Sequence, residues 1–133
     1  MMRQMISQFF KFGLVGLLGL VLDTALVYLG IHLLGWHPVA SAVASFPLVV
    51  SFTWLLNRHI TYGHAPKGPL RQEWARFFAV CSIGFVINRG VYTALVLGVP
   101  IIYANPFLAL FAGSIAGMFF NFFVSRKLVF LRG

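Results

Sequence analysis

Two stretches decide how this chain is built: "KFGLVGLLGLVLDTALVY", residues 11–28, and "RFFAVCSIGFVINRGVYT", residues 76–93. Laid over one another, Lys11 meets Arg76, Phe12 meets Phe77, Gly19 meets Gly84 and Asp23 meets Asn88. A second pair follows downstream. "SFTWLLNRHITY", residues 51–62, lies over "FFNFFVSRKLVF", residues 119–130, so that Phe52 meets Phe120, Arg58 meets Arg126, His59 meets Lys127 and Tyr62 meets Phe130. The chain is therefore read as one unit written twice, each copy a helical hairpin followed by a basic, aromatic tail.

The solvent for such a hairpin follows from composition. Of 133 residues, 60% are hydrophobic and 9% charged, against about 25% charged in a soluble domain. A bilayer core of about 30 Å needs roughly 20 residues of helix. Four apolar stretches, residues 9–34, 38–57, 74–98 and 101–124, are long enough. The first is too long for a cleavable signal, carries Asp23, and is followed by three more spans. We therefore expect an all-α membrane protein of four transmembrane helices, forming one domain over residues 1–133. Repeat 1 covers about 9–62 and repeat 2 about 74–130, with a linker over about 58–73. Two spans per copy return the chain to its starting side, so the copies are expected to be parallel repeats about an axis along the membrane normal.

The net charge of +8 would suggest nucleic acid in a soluble protein. Its placement points to topology instead. Arg3 and Lys11 precede span 1; Arg58, Lys67, Arg71 and Arg76 lie between spans 2 and 3; Arg126, Lys127 and Arg132 follow span 4. The loops "IHLLGWHP" and "GVPIIYANP" hold no Lys or Arg. By the positive-inside rule both termini and the middle loop are cytoplasmic. Anionic lipid headgroups are attracted to the same face. Trp36 and Trp74 fit interfacial anchors, Pro47 should bend span 2, and the single cysteine, Cys81, reads as a packing residue.

The even spans share a stripe. Ala109, Gly113, Gly117, Asn121 and Ser125 align with Ser41, Ser45, Val49, Thr53 and Asn57. Small residues at this spacing let helices approach closely in lipid, while the polar ends Thr53, Asn121 and Ser125 could line a groove. Gly13, Gly16 and Gly19 give span 1 a close-packing face, open to an oligomer contact. Asp23 and Arg89 are the costly residues, each lying roughly 18–20 Å along its helix from the basic residue that opens it. A lone charge at such depth costs at least about 2.5–3.5 kcal/mol. The expectation is a polar level of Asp23, Asn88 and Arg89, either a structural ion pair or part of a translocation path.

No catalytic constellation is visible. The two acids, Asp23 and Glu73, fall at different depths, the histidines have no metal-ligand spacing, and no phosphate-binding glycine loop precedes a Lys-Ser/Thr pair. We expect no enzyme activity, no cofactor and no metal.

These four motifs, in their order and spacing, resemble the GtrA-like membrane proteins over nearly the whole chain. The resemblance implies translocation of a polyprenyl-phosphate-linked monosaccharide, such as undecaprenyl phosphate glucose, from the cytoplasmic to the outer leaflet for cell-surface polysaccharide synthesis. It thus implies the bacterial cytoplasmic membrane. The first tail, "NRHITY", departs from the family's basic-aromatic pattern, with His59 in place of a basic residue and Tyr62 in place of Phe. A lipid-linked phosphate needs cationic donors at the headgroup plane, so Lys11, Asn57, Arg58, Arg76, Arg126 and Lys127 are the expected phosphate site. Two other readings remain: a small multidrug-type proton-coupled exporter, with Asp23 as the membrane acid, or a non-transporting partner of a membrane glycosyltransferase. Four helices bury little surface alone, which makes a homo-oligomer plausible.

Overall fold

The computed structural model describes residues 2–131, without the side chains of Tyr103 and Pro106; Arg132, counted above among the cytoplasmic cations, lies outside them. Every regular element among the described residues is helical. α1 spans Met2–His32, α2 Pro38–Leu56, α3 Leu70–Gly98, α4 Pro100–Ala104 and α5 Pro106–Ser125. α1, α2, α3 and α5, with α2 and α5 extended by a turn each as the second and fourth spans, are long and apolar enough to cross a membrane. The chain is a multi-pass membrane protein with four spans.

The helix starts follow local chemistry. Proline opens α2, α4 and α5, where its missing N–H is no loss and its fixed φ suits a helix. His37 caps α2, its ring Nδ1 accepting from the Val39 amide at 3.1 Å. Pro47 stays inside a continuous α2, and the Ser51 hydroxyl donates to its carbonyl at 2.7 Å. The odd helices begin earlier than hydropathy suggests, at residues 2 and 70 rather than 9 and 74. Both gain amphipathic turns before the apolar body, so the stretch read as linker is already helical at Leu70.

α2 and α5 end alike. At Asn57–Thr61 and Arg126–Phe130 the helix widens into a π turn, its last bond running from the Tyr62 amide to the Asn57 carbonyl and from the Leu131 amide to the Arg126 carbonyl, each 2.9 Å. A π turn inserts one residue and swings the following side chains around the axis. Here it turns Tyr62 and Phe130 into buried positions, 0% and 4% exposed.

By contacts the chain falls into two compact units, Met1–Trp74 and Ala75–Gly133. In the first, α1 packs along α2 and its π turn. α1 buries Gln8, Phe12, Val15 and Gly19, and α3 buries the aligned Glu73, Phe77, Val80 and Gly84. Gly19 is the close point of unit 1: a Cβ there would stand 2.6 Å from Thr53 Cγ2. Gly84 is the close point of unit 2, with the side-chain amide of Asn121, the residue aligned with Thr53, directly over it. Phe77 meets Phe130 edge-on, ring centroids 5.6 Å apart. Gly13 and Gly16 of α1, by contrast, face open space.

Candidate functional site

A polar cluster of unit 1 lies at the end of α2. Arg58 Nη1 is 2.7 Å from Glu73 Oε1, and the two side chains are 10% and 5% exposed. Glu73 sits in the first turn of α3, where the helix dipole favours an acid. The same oxygen accepts from Trp54 Nε1 at 3.1 Å, and the Arg58 guanidinium lies 6.0 Å from the Trp54 ring centre, within cation–π reach. Trp74, expected as an interfacial anchor, donates its indole N–H to Ser51 Oγ at 2.9 Å and so ties α3 to α2. Asn57 is buried and accepts from Thr61 Oγ1 at 2.7 Å.

Lys67 closes this end. Its ammonium donates to the Arg58 carbonyl at 2.8 Å and the Tyr62 carbonyl at 2.6 Å, the second of which also accepts from the Ala65 amide at 3.0 Å. Desolvation holds the Lys67 amine below its ordinary 10.5; the charge of Arg58 pushes the same way, and Glu73 opposes both. Unfolding restores the higher value, so the cost of keeping Lys67 charged is fully present at neutral pH. It is relieved as pH rises through the window up to 10.5. Wild-type protein is therefore expected to gain stability on Lys67→Gln between about pH 7 and about pH 10, measured by unfolding of both at the two pH values. On α1, the Gln4 side-chain amide donates to His64 Nε2 at 2.6 Å.

In unit 2 the cations gather differently. Arg76 is exposed, and its guanidinium reaches the Leu128 carbonyl at 3.4 Å, beside Arg126 and the exposed Lys127. Residues 75–133 contain no Asp or Glu.

Deeper in the spans, Asp23 Oδ1 lies 2.7 Å from Ser45 Oγ, which also approaches the Ala42 carbonyl at 3.0 Å; one hydroxyl proton serves both. In unit 2, Asn88 packs over Gly113 and Gly117, whose missing side chains make its room. Arg89 is exposed, its guanidinium 5.5 Å from the Phe85 ring centre.

The family described as GtrA/DPMS, transmembrane domain, matches residues 11–130. The chain belongs to that family. Among curated proteins none matches it. Every candidate position in this GtrA/DPMS protein falls inside the matched stretch, as do Lys67 and Glu73. GtrA-family membrane proteins are involved in sugar-lipid flipping.

The expected phosphate set is thus distributed unevenly in this GtrA-family chain. Lys11, Arg76 and Lys127 are exposed and Arg126 is half-buried, whereas Asn57 and Arg58 are buried among their own partners. Thr53 and Asn121 pack on Gly19 and Gly84, and Ser125 is fully buried, so the stripe works as a packing seam. Asn121 Oδ1 and Ser125 Oγ make no hydrogen bond among the described residues. An open hollow of about 550 Å³ along Phe107, Leu108, Leu110, Phe111 and Ser114 of α5 has one hydroxyl and no charge, and offers a phosphate nothing. Glu73 is the residue the sequence reading missed as a partner. Its signal was present: it is the one acid among the basic residues between the second and third spans, in the first turn of a helix.

Proposed function

We propose that this protein carries a polyprenyl-phosphate-linked monosaccharide from the cytoplasmic to the outer leaflet of a bacterial inner membrane, for synthesis or modification of a surface polysaccharide. The observation that carries this reading is the family match over residues 11–130. Both termini and the middle loop are cytoplasmic in this scheme, as the one-sided basic residues require, and the two units are parallel repeats. Support for the repeat comes from matched contacts: Gly19 with Thr53 and Gly84 with Asn121, Asp23 with Ser45 and Asn88 with Gly113.

The cargo's phosphate is drawn to the basic cytoplasmic ends of the helices, while its tail stays in lipid. Its sugar meets Asp23, Asn88 and Arg89, while Thr53, Asn121 and Ser125 hold the helices of each unit together. No step needs a bond made or broken, so the protein acts without catalysis, metal or cofactor. The open faces at Gly13 and Gly16 are those we assign to a second copy or a membrane glycosyltransferase.

Purified protein in liposomes loaded with a polyprenyl-phosphate sugar tests this directly. Sugar should become accessible to a membrane-impermeant reagent on the far leaflet at a rate set by the amount of protein. No protein-dependent rate with any of several such sugars would sink the reading.

A further inference from the structure

We infer that Arg89 is the station that holds the phosphate of the cargo as it crosses the outer half of the membrane. The inference rests on the translocation reading, in which the sugar leads, and it supplies the group that receives the phosphate behind it.

Arg89 stands nine residues before Gly98, the last residue of α3, so its Cα lies roughly 14 Å inside that helix end. One side of α3 at this level is packed: Gly84 lies under Asn121, and Asn88 lies over Gly113 and Gly117. The other side is open. Phe85, Arg89 and Thr93, spaced by four and so in line along the helix, are all exposed. A guanidinium keeps its proton in a protein, and a charge at such depth is costly without water or a counter-ion. Its own unit supplies no carboxylate side chain, because residues 75–133 hold no Asp or Glu. Glu73, on the same helix, is sixteen residues away, roughly 24 Å. The Phe85 ring centre, 5.5 Å from the guanidinium carbon, attracts the charge but offers no lone pair to its five N–H donors. Asp23, the other intramembrane charge, has Ser45 Oγ at 2.7 Å within its own unit.

The anion that suits this setting is a phosphodiester carried in by a lipid. A guanidinium presents a planar fork to two phosphate oxygens. A resident phospholipid keeps its phosphate at the headgroup plane. A lipid in passage brings its phosphate to the level of Arg89, while its tail stays in the bilayer beside the open side of α3. The cation also has no counterpart in unit 1. The aligned residue there is Thr24, whose hydroxyl is turned to its own helix and donates to the Leu20 carbonyl at 2.9 Å. The station is therefore single.

The test is lipid binding by the full chain in phosphatidylcholine nanodiscs. It is titrated separately with a polyprenyl-phosphate sugar, with polyprenyl phosphate lacking the sugar, and with phosphatidylglycerol. Arg89→Gln changes an exposed side chain and should leave unfolding unchanged. It should weaken both polyprenyl phosphates by on the order of tenfold or more, the size of a charge-assisted contact, and phosphatidylglycerol by no more than about twofold. Arg89→Lys, which keeps the charge, should recover part of the loss. Undiminished binding of polyprenyl phosphate by the Arg89→Gln protein overturns the inference alone. So does a loss confined to the sugar-bearing lipid, which makes Arg89 a sugar contact, or an equal loss for phosphatidylglycerol, which makes it a general headgroup anchor. A loss of stability in Arg89→Gln that Asp23→Asn shares, and that the double variant does not enlarge, makes the guanidinium a structural partner of Asp23 and also overturns it. Wild-type protein that flips no lipid-linked sugar in liposomes overturns the translocation reading, and the inference with it.

Discussion

Replacing Glu73 with leucine is expected to destabilise the detergent-solubilised protein by about 3–5 kcal/mol, the range for breaking a buried ion pair from one side. The size follows from what is left behind. Arg58 would keep its charge at 10% exposure with no carboxylate at 2.7 Å, and Trp54 Nε1 would lose its acceptor. The pair itself contributes far less than its rupture costs, because both ions have given up water to form it. Adding Arg58→Met to Glu73→Leu should therefore recover most of the loss. Equilibrium unfolding of wild type, the single variant and the double variant gives the coupling directly. Equal loss in the single and double variants would show that packing of the long side chains, rather than charge, holds this end.

The second large effect is expected at Gly113. An alanine methyl there would stand 2.5 Å from the Asn88 carbonyl oxygen and 2.8 Å from its side-chain oxygen. A side chain can rotate away, but a helix carbonyl moves only with its helix. Gly113→Ala should thus force α3 and α5 apart and cost about 1–3 kcal/mol, as overpacking of a close contact does. Gly16→Ala is the matched control: with nothing within 4 Å of its Cβ position, it should be neutral or gain up to about 1 kcal/mol from helix propensity. A neutral Gly113→Ala would mean that the two helices are not in close contact at this level.

Much of the fold was legible because a bilayer reads hydropathy so directly. Four spans follow from four runs of sufficient length. Of Gly13, Gly16 and Gly19, expected to form one close-packing face, Gly19 is a close point within its unit, as is the aligned Gly84, while Gly13 and Gly16 face open space. Other features leave no such trace. The early starts of α1 and α3 lie in polar sequence that hydropathy reads as loop. The π turns arise from one extra residue per turn, which changes no composition.

The positions of the basic helix ends were legible in the sequence, and their partners were not. Basic residues at helix ends announce an anion-facing surface, and their positions could be counted. Which of them is already spent could not. Arg58 and Arg126 look alike in sequence, and only a fold that turns "HAPKGP" back on α2 brings Glu73 to one of them. The small-residue stripe reads on paper as a packing seam whose polar ends could line a groove. Contacts at Gly19 and Gly84 make it a seam, and buried Ser125 agrees.

The division of α3 has a consequence for how the protein is made. Its first turn, Leu70 through Trp74, belongs to the first unit, and its apolar body to the second. A ribosome therefore delivers Glu73 after both helices of the first hairpin but before most of the third span. Arg58 can be neutralised, and the first hairpin sealed by Lys67 and Trp74, while the second hairpin is still being synthesised. The nascent chain would enter the membrane as a neutralised hairpin followed by one whose residues 75–133 hold no acid.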